Sequence, residues 1–389
     1  YLLKTHVDQN VPFEQIFQVI KDRFLGTELE LGTDAGLQGE LEEIARHLKP
    51  GLSADYIASR GEYLNAKMIA AYLGCDFVDA AGLVVFDEKG RFLSEETNEL
   101  LAAELAKHEK AVLPGFYGTL PNGDIKAFTR GGSDITGALV ARAAGADVYE
   151  NWTDVSGFLM ADPRIVKNPK AIEKITYMEL RELSYMGATV LHENAIYPVR
   201  LAGIPINIRN TNAPLDTGTF IVSEDEYAAS AGSSIITGVA GRKDFTVIAI
   251  YKNMLTSEKG FIRRVLGILE EYDIVVEHIP SGIDTVSIVV SSESLTGNIG
   301  DLIDDIEKKT GAERVDIFAD MALVATVGSG MAARKGVSAR LFKSLEEADV
   351  NIRMIDQGSS EMNIIVGVEN KDFETAIRAI YAAFESERQ

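Results

Sequence analysis

The sequence predicts an α/β protein: helices layered around a mainly parallel sheet, followed by two small βαββαβ modules. Three observations predict it. In the first part, short apolar runs that read as strands, such as 111–114 (AVLP) and 206–209 (INIR), alternate with longer amphipathic runs that read as helices. From residue 245 onward the order becomes strand, helix, strand, strand, helix, strand. That order nearly repeats about 75 residues later, with Asp273-Ile-Val-Val276 answering Asp349-Val-Asn-Ile352. Between the two parts, residues 223–232 are polar and rich in Ala, Ser and Gly, which reads as a linker.

Taken in order, the chain opens Tyr1-Leu2-Leu3-Lys4 as if inside a helix. Residues 13–24 and 38–48 follow as helices, with apolar residues at helical spacing. Residues 55–73 form one amphipathic helix containing Ser59-Arg60-Gly61-Glu62. A mid-helix glycine costs close to 1 kcal/mol against alanine. It marks either a close approach by another group or a solvated Arg-Glu face. Residues 77–79 and 83–86 are strand candidates, Gly90 a turn, 95–108 a charged helix, and 111–114 a buried strand with Gly115 to Gly118 as its exit. Further on, 177–186 reads as a helix, 195–201 as a helix broken near Pro198, and 206–209 as a strand.

In the second part, strands 245–251, 274–279, 285–290 and 314–318 with helices 261–272 and 296–310 make a first module, about 245–319. Strands 322–327, 352–355 and 361–366 with helices 337–345 and 372–384 make a second, which lacks its last strand. The spare strand 234–239 is expected to fill that gap, so the second module is 234–240 plus 321–389.

The 389 residues suit two or three domains, and a 46% hydrophobic content supplies ordinary cores. Lys and Arg number 38 against 59 Asp and Glu, a net charge of −21. That balance argues against nucleic acid as a partner and leaves phosphate binding to local cationic sites. No apolar run reaches the roughly 18 residues of a membrane helix, and no signal peptide is visible, so a soluble cytoplasmic protein is expected. The single cysteine, Cys75, excludes an internal disulfide framework and is expected to be a buried apolar residue. The five histidines have no metal-cluster spacing, and His192 is expected to be structural.

The stretch 114–164 organises the rest. Thr129-Arg130-Gly131-Gly132-Ser133-Asp134 ends a short β-like run and opens a helical run over 135–144, 146–152 reads as a buried strand, and Thr153-Asp154 leads into a loop ending Asp162-Pro163-Arg164. Adjacent glycines admit close backbone approach. Ser133 and Asp134 are expected helix N-caps, and a helix start favours anions. Arg130 adds a fixed planar charge. By itself the Gly-Gly-Ser-Asp run reads more readily as a plain strand-turn-helix with a capped start, since short Gly-rich loops are weak signals. Gly115, residues 130–134 and residues 153–154 all fall past strand ends, where open α/β sheets bind ligands.

Together with Glu179-Leu-Arg-Glu-Leu183, Met186-Gly-Ala-Thr-Val-Leu-His192 and Ile204-Pro-Ile-Asn-Ile-Arg209, this stretch resembles the aspartate kinase family, within the larger amino acid kinase group. The resemblance covers essentially the whole chain. It implies an amino acid kinase-like αβα sandwich over 1–232, N-terminally incomplete, and two ferredoxin-like ACT modules within 233–389. It implies transfer of the γ-phosphoryl of ATP, with Mg²⁺, to the β-carboxylate of L-aspartate. This would be the first step of lysine, threonine and methionine biosynthesis. A carboxylate acceptor is already ionised at pH 7, so no general base is required. The site must instead stabilise spread negative charge.

In the roles the resemblance implies, Arg130 clamps the α-carboxylate of aspartate, Glu62 holds its ammonium, and Ser133 lies beside it. Thr153 and Asp154 contact the adenosine end of the nucleotide and Arg164 its phosphates. Asp134 orients a lysine of the family's Lys-Phe-Gly-Gly strand. That strand does not occur here, and an N-terminal segment of several tens of residues is expected to have been lost. Thr189 stands where many relatives carry lysine, Glu193 where proline is common, and Leu159 where tyrosine is frequent.

The resemblance further implies a homodimer or homotetramer through the ACT modules and feedback inhibition by L-lysine, with threonine as the alternative effector. Met254, Ser257, Phe261, Ile262, Val275, Val276, Glu277 and Ser281 are the effector-contacting positions, in a loop with an extra residue near Glu258. The alternatives are another amino acid kinase and a non-catalytic ACT-based amino-acid sensor with a degenerate kinase half.

Overall fold

The computed structural model describes residues 2–187, 193–228, 234–295, 297, 299–332 and 334–385. Four helices come first: α1 (Leu2–Asp8), α2 (Glu14–Leu31), α3 (Leu37–His47) and α4 (Ala54–Leu73). α2 outruns its expected end because nothing stops it until Gly32, which takes φ 65° and accepts the left-handed C-cap. α4 begins at Ser53, whose hydroxyl accepts from the Tyr56 N–H, and stops at left-handed Gly74. Their apolar stripes meet in one core of Leu3, Val7, Phe17, Leu37, Leu41, Ile44, Leu48, Leu64 and Met68.

Next come β1 (Asp76–Phe77), α5 (Ser94–Leu105), β2 (Ala111–Val112), β3 (Tyr117–Thr119), β4 (Ile125–Ala127), α6 (Gly132–Ala144) and β5 (Tyr149–Thr153). β1 pairs parallel with β2, and β3 and β4 form an antiparallel hairpin. The strand expected over 83–86 is only a set of isolated bridges, with Phe86 packed edge-on against Phe92.

β6 (Lys174–Thr176), α7 (Tyr177–Tyr185), α8 (Glu193–Ala202), β7 (Ile206–Asn210), β8 (Thr219–Val222) and α9 (Glu224–Ala228) follow. β7 pairs parallel with β5. α8 is not broken at Pro198. A proline there removes one helical hydrogen bond, while the flanking Ile196 and Val199 stay buried. α9 occupies part of the expected linker. The rest of that linker, 229–232, lies outside the described residues, as do Thr189 and His192.

The remainder is β9 (Gly238–Tyr251), α10 (Phe261–Glu271), β10 (Val276–His278), β11 (Thr285–Ser291), α11 (Ile299–Thr310), β12 (Arg314–Val327), α12 (Val337–Glu347), β13 (Met354–Asp356), β14 (Asn363–Glu369) and α13 (Phe373–Glu385). They build one six-stranded sheet, ordered β10-β11-β9-β12-β14-β13. The spare strand and the first strand of the first module are one continuous β9 of 14 residues, and β12 is equally long. The far half of each serves one module and the near half the other, as Tyr251 opposite Arg314 and Gly238 opposite Val327 show.

Both long strands bend where the modules meet. Asp244 and Asp320 take positive φ, and β12 shifts register between Phe318 and Leu323. The amide of Asn370 donates to both aspartates at 2.8 Å. Asp tolerates the left-handed region better than most residues because its short side chain bonds locally.

The chain divides into two compact units. The first holds residues 1–154, 191–211 and 220–223; the second holds 155–190, 212–219 and 224–389. In the second unit the fully buried Glu179 ties α7 to the long strands. Its carboxylate accepts from the N–H of Thr176 (2.9 Å), the hydroxyl of Thr237 (2.7 Å) and the N–H of Ser329 (2.6 Å). Thr176 completes a capping box by accepting from the Glu179 N–H. Farther along the helix, Glu182 accepts from the side-chain amide of Asn363 at 2.6 Å.

Glu179→Ala would leave three donors, two buried and one half-buried, without an acceptor. It is expected to cost roughly 3 kcal/mol or more, measured by urea unfolding, with Glu179→Gln losing less.

Candidate functional site

Two glycine-bearing turns abut in the first unit. After β2 the chain reaches Gly115-Phe116, and α6 starts at Gly132. Phe116 adopts φ 61° and its N–H donates to the Thr136 hydroxyl at 3.0 Å. That hydroxyl donates back to the Gly132 carbonyl at 2.8 Å. A Cβ on Gly132 would lie 2.6 Å from the Phe116 Cβ, and one on Gly115 would lie 3.2 Å from the Ser133 Cα. Gly132 is therefore required by its contact with Phe116, and Gly115 fits closely against Ser133.

The helix cap differs from expectation. Gly131, left-handed at φ 58°, is the N-cap, and no side chain caps the helix. Ser133 and Asp134 lie in the first turn of α6 because the left-handed glycine starts the helix ahead of them.

Asp134 is held from β5. Its carboxylate accepts from the Asn151 amide at 3.0 Å, and its carbonyl accepts from the Tyr149 hydroxyl at 3.2 Å. Burial pushes the Tyr149 phenol up to about 12, so it remains a protonated donor. Its ring lies so close to α6 that a Cβ on Gly137 would sit 2.5 Å from the hydroxyl. Sequence reasoning singled out neither Tyr149 nor Asn151. The available signal was their alternation with Thr153 along one face of β5. β5 is not a buried strand: Tyr149, Asn151 and Thr153 are half-buried, while Glu150 and Trp152 are exposed.

α4 lies along the β3–β4 hairpin. Asp55 accepts from the Ala127 N–H at 3.0 Å and pairs with Lys126 at 3.2 Å. The Arg60 guanidinium packs over the rings of Tyr56, Tyr63 and Tyr117, at 4.8, 4.7 and 5.5 Å. Arg60 is thus committed to structure. Glu62, half-buried, has no hydrogen-bond or ion-pair partner among the described residues. Arg130, beyond the same hairpin, is exposed and equally without a partner among them. The close approach suggested for Gly61 is not made by the chain itself, since a Cβ there meets nothing within 4 Å.

Thr153 anchors the end of β5: its carbonyl accepts both the N–H and the hydroxyl of Thr211, at 2.8 and 2.9 Å. Asp154 is exposed. In the second unit, Arg164 makes a forked ion pair with Asp162, which holds that carboxyl below its ordinary range. Arg164, Lys167 and Leu159 line a shallow cavity of about 570 Å³. Among the described residues no group of three or more His, Cys, Asp or Glu could hold a metal ion, and no helix is long and apolar enough to cross a membrane. Cys75 is half-buried rather than buried, because it follows the exposed helix stop at Gly74.

In the first module, Met254, Ser257 and Ser281 are exposed, and left-handed Gly260 caps α10. Ile262 and Val275 are exposed as well, and Val276 packs on the module core. The Phe261 ring is buried in that core at 1% exposure, so only its backbone can meet a ligand. Glu258 is tied to Lys252 and Arg264. Glu277 sits at a β-bulge and accepts from the Tyr185 hydroxyl.

The Amino acid kinase family matches residues 18–210, and an ACT domain matches 324–384. Aspartokinase 3 of Bacillus subtilis is 36% identical over 390 residues, spanning 95% of this chain and 84% of that protein. The chain belongs to the aspartokinase family. A crystal structure of the Clostridium acetobutylicum aspartate kinase, described as an allosteric enzyme, superposes with a TM-score of 0.88 at 50% identity, over 99% of this chain and 87% of that one. Escherichia coli aspartokinase III shares the fold at 24% identity over 98% of this chain. Its complex with aspartate and ADP gives a TM-score of 0.64 over 85% of that chain, and its complex with lysine and aspartate gives 0.65 over 84%. As a family member the chain is an ATP-dependent phosphotransferase, an α/β protein of amino acid kinase and ACT folds.

Gly61→Ala is expected to raise stability by about 1 kcal/mol, the helix-propensity difference, as read by urea unfolding. A simultaneous rise in KM for the phosphoryl acceptor would place that acceptor against this turn of α4.

Proposed function

We propose that the chain transfers the γ-phosphoryl of ATP to the β-carboxylate of L-aspartate, giving 4-phospho-L-aspartate, in the cytoplasm at the start of lysine, threonine and methionine biosynthesis. Residues 1–232 are the catalytic part and 233–389 the regulatory part. The observation that carries the reading is the pair of uncommitted opposite charges around one hairpin: Glu62 on α4 and Arg130 past β4 have no partners among the described residues, while neighbouring charges such as Asp55, Lys126 and Arg60 are all engaged. An α-amino acid presents the complement of that pair. Arg130 clamps the α-carboxylate through its planar fork and Glu62 takes the ammonium. The side-chain carboxylate and the phosphoryl group lie beside Ser133, in the first turn of α6. Thr153 and Asp154 hold the nucleoside end, and Arg164 the phosphates.

Mg²⁺ suits this donor set. It binds largely through substrate phosphates and one or two carboxylates, and Asp134 keeps one carboxylate oxygen free of hydrogen bonds among the described residues. When bound, the ion neutralises charge on the phosphates. Asn151 and Tyr149 hold Asp134 in place, and no residue need remove a proton from an acceptor that is already ionised.

The regulatory reading is feedback inhibition by L-lysine at an interface between first modules of two subunits. Met254, Val275 and Ile283 are 70, 71 and 74% exposed on one module, an apolar group that pairing would cover. Glu277 offers a carboxylate for an ammonium.

Arg130→Ala is expected to raise the KM for aspartate roughly ten- to a hundredfold, the cost of one charge-assisted contact, with unfolding unchanged because the side chain is exposed. Wild-type kinetics in the folded variant would remove Arg130 from the site. Calorimetry of the full chain should show L-lysine binding with a midpoint at or below millimolar concentration, and aspartate with nucleotide should weaken it by the factor by which lysine weakens them. Binding of threonine alone would change the effector.

A further inference from the structure

We infer that Tyr185 is a built-in competitor for the amino-acid effector: on Glu277 its hydroxyl occupies the acceptor that the effector's ammonium would take, so binding at the first module must release the end of α7. The inference rests on the proposed effector site and adds the step by which its occupancy is felt elsewhere in the second unit.

Glu277 is the extra residue of a bulge. Val276 lies opposite Val290 and His278 opposite Val289, which leaves Glu277 unmatched in the ladder. Bulges re-aim the side chain they carry. This side chain is only 10% exposed, and the groups facing it are the Tyr185 hydroxyl and, at 4.0 Å, the Arg242 guanidinium. The carboxylate proposed to receive an ammonium is therefore already engaged by another part of the same chain. Burial and the neighbouring Glu277 push the Tyr185 phenol up to about 12, which keeps it a proton donor at neutral pH.

The contact is placed to exchange. Glu179, Glu182 and Tyr185 follow one another at three-residue spacing, which puts them along one face of α7. Each meets a different part of the regulatory sheet: Thr237 and Ser329, then Asn363, then Glu277. Glu179 is fully buried, whereas Tyr185 is 50% exposed. The helix is pinned at its start and latched at its end by a ring that surrenders little buried area on leaving. The phenol brings one donor and no charge to the carboxylate; an ammonium brings a full positive charge and three donors. The amino acid displaces the tyrosine when present, and the tyrosine returns when it departs.

The test is calorimetric titration of the full chain with L-lysine, then L-threonine, in wild type and Tyr185→Phe, with amide exchange across residues 177–185. If Tyr185 competes, the effector binds Tyr185→Phe roughly tenfold tighter, the worth of one hydrogen bond to a charged group. Effector also speeds exchange in the last turn of wild-type α7, a turn that exchanges fast in Tyr185→Phe without effector, while the turn at Glu179 stays protected in both. Equal affinity in the two proteins, or binding that leaves exchange in α7 unchanged, overturns the competition and leaves the effector site standing. Failure of both amino acids to bind wild type overturns the effector site and the competition together.

Discussion

A buried carboxylate with no cation beside it among the described residues governs the second unit. Glu179 is satisfied wholly by donors, two of them backbone N–H groups and one a hydroxyl. In a low-dielectric interior such bonds are strong and an unmet partner is costly. Each donor comes from a different piece of chain: the end of β6, the residue leading into β9, and the turn leaving β12. The positions of one helix and two long strands thus reduce to one constraint. None of the three can shift alone without stranding a polar group.

The bends of the long strands follow the same logic on a smaller scale. β9 and β12 must each turn from one module into the other, and each does so beside an aspartate in the left-handed region. Asn370 supplies one amide to both aspartates, so the two bends are set together. The first module then gains its own core from α10, with Phe261, Val265, Ile268 and Leu269 facing the sheet. Burying each such side chain is worth about 1.5–3 kcal/mol.

Long periodic elements were legible in the sequence because their signal is repeated. The apolar stripes of α3, α4 and α10 recur over several turns, and the structure keeps their bounds within a residue or so. β6 and β8 escaped notice because three or four residues carry too little period to separate from loop. At the start of α6 good capping residues stood in the right order, yet left-handed Gly131 took the cap, and the next residue, Gly132, packs against Phe116 from elsewhere in the chain. Arg130 and Glu62 could be nominated as types, but their lack of partners is visible only once Arg60 and Asp55 are seen to be taken. The helix over 177–186 was legible; that the Glu179 carboxylate in its first turn gathers Thr237 and Ser329 was not, since those donors are distant in sequence. A bulge at Glu277 has no local signature in a short apolar strand.

The two shared strands also order events in time. The first half of β9 finds its partner only in the second half of β12, after the whole first module has been threaded between them. On the ribosome, Gly238 to Lys243 would emerge well before residues 321–327. At synthesis rates of about 5–20 residues per second, that segment waits several seconds as an unpaired strand. An open strand edge is a template for the wrong partner. The first module can close locally during this interval, whereas the second depends on a long-range pairing. The late-closing module is therefore where crowded neighbouring copies of the nascent chain would exchange strands.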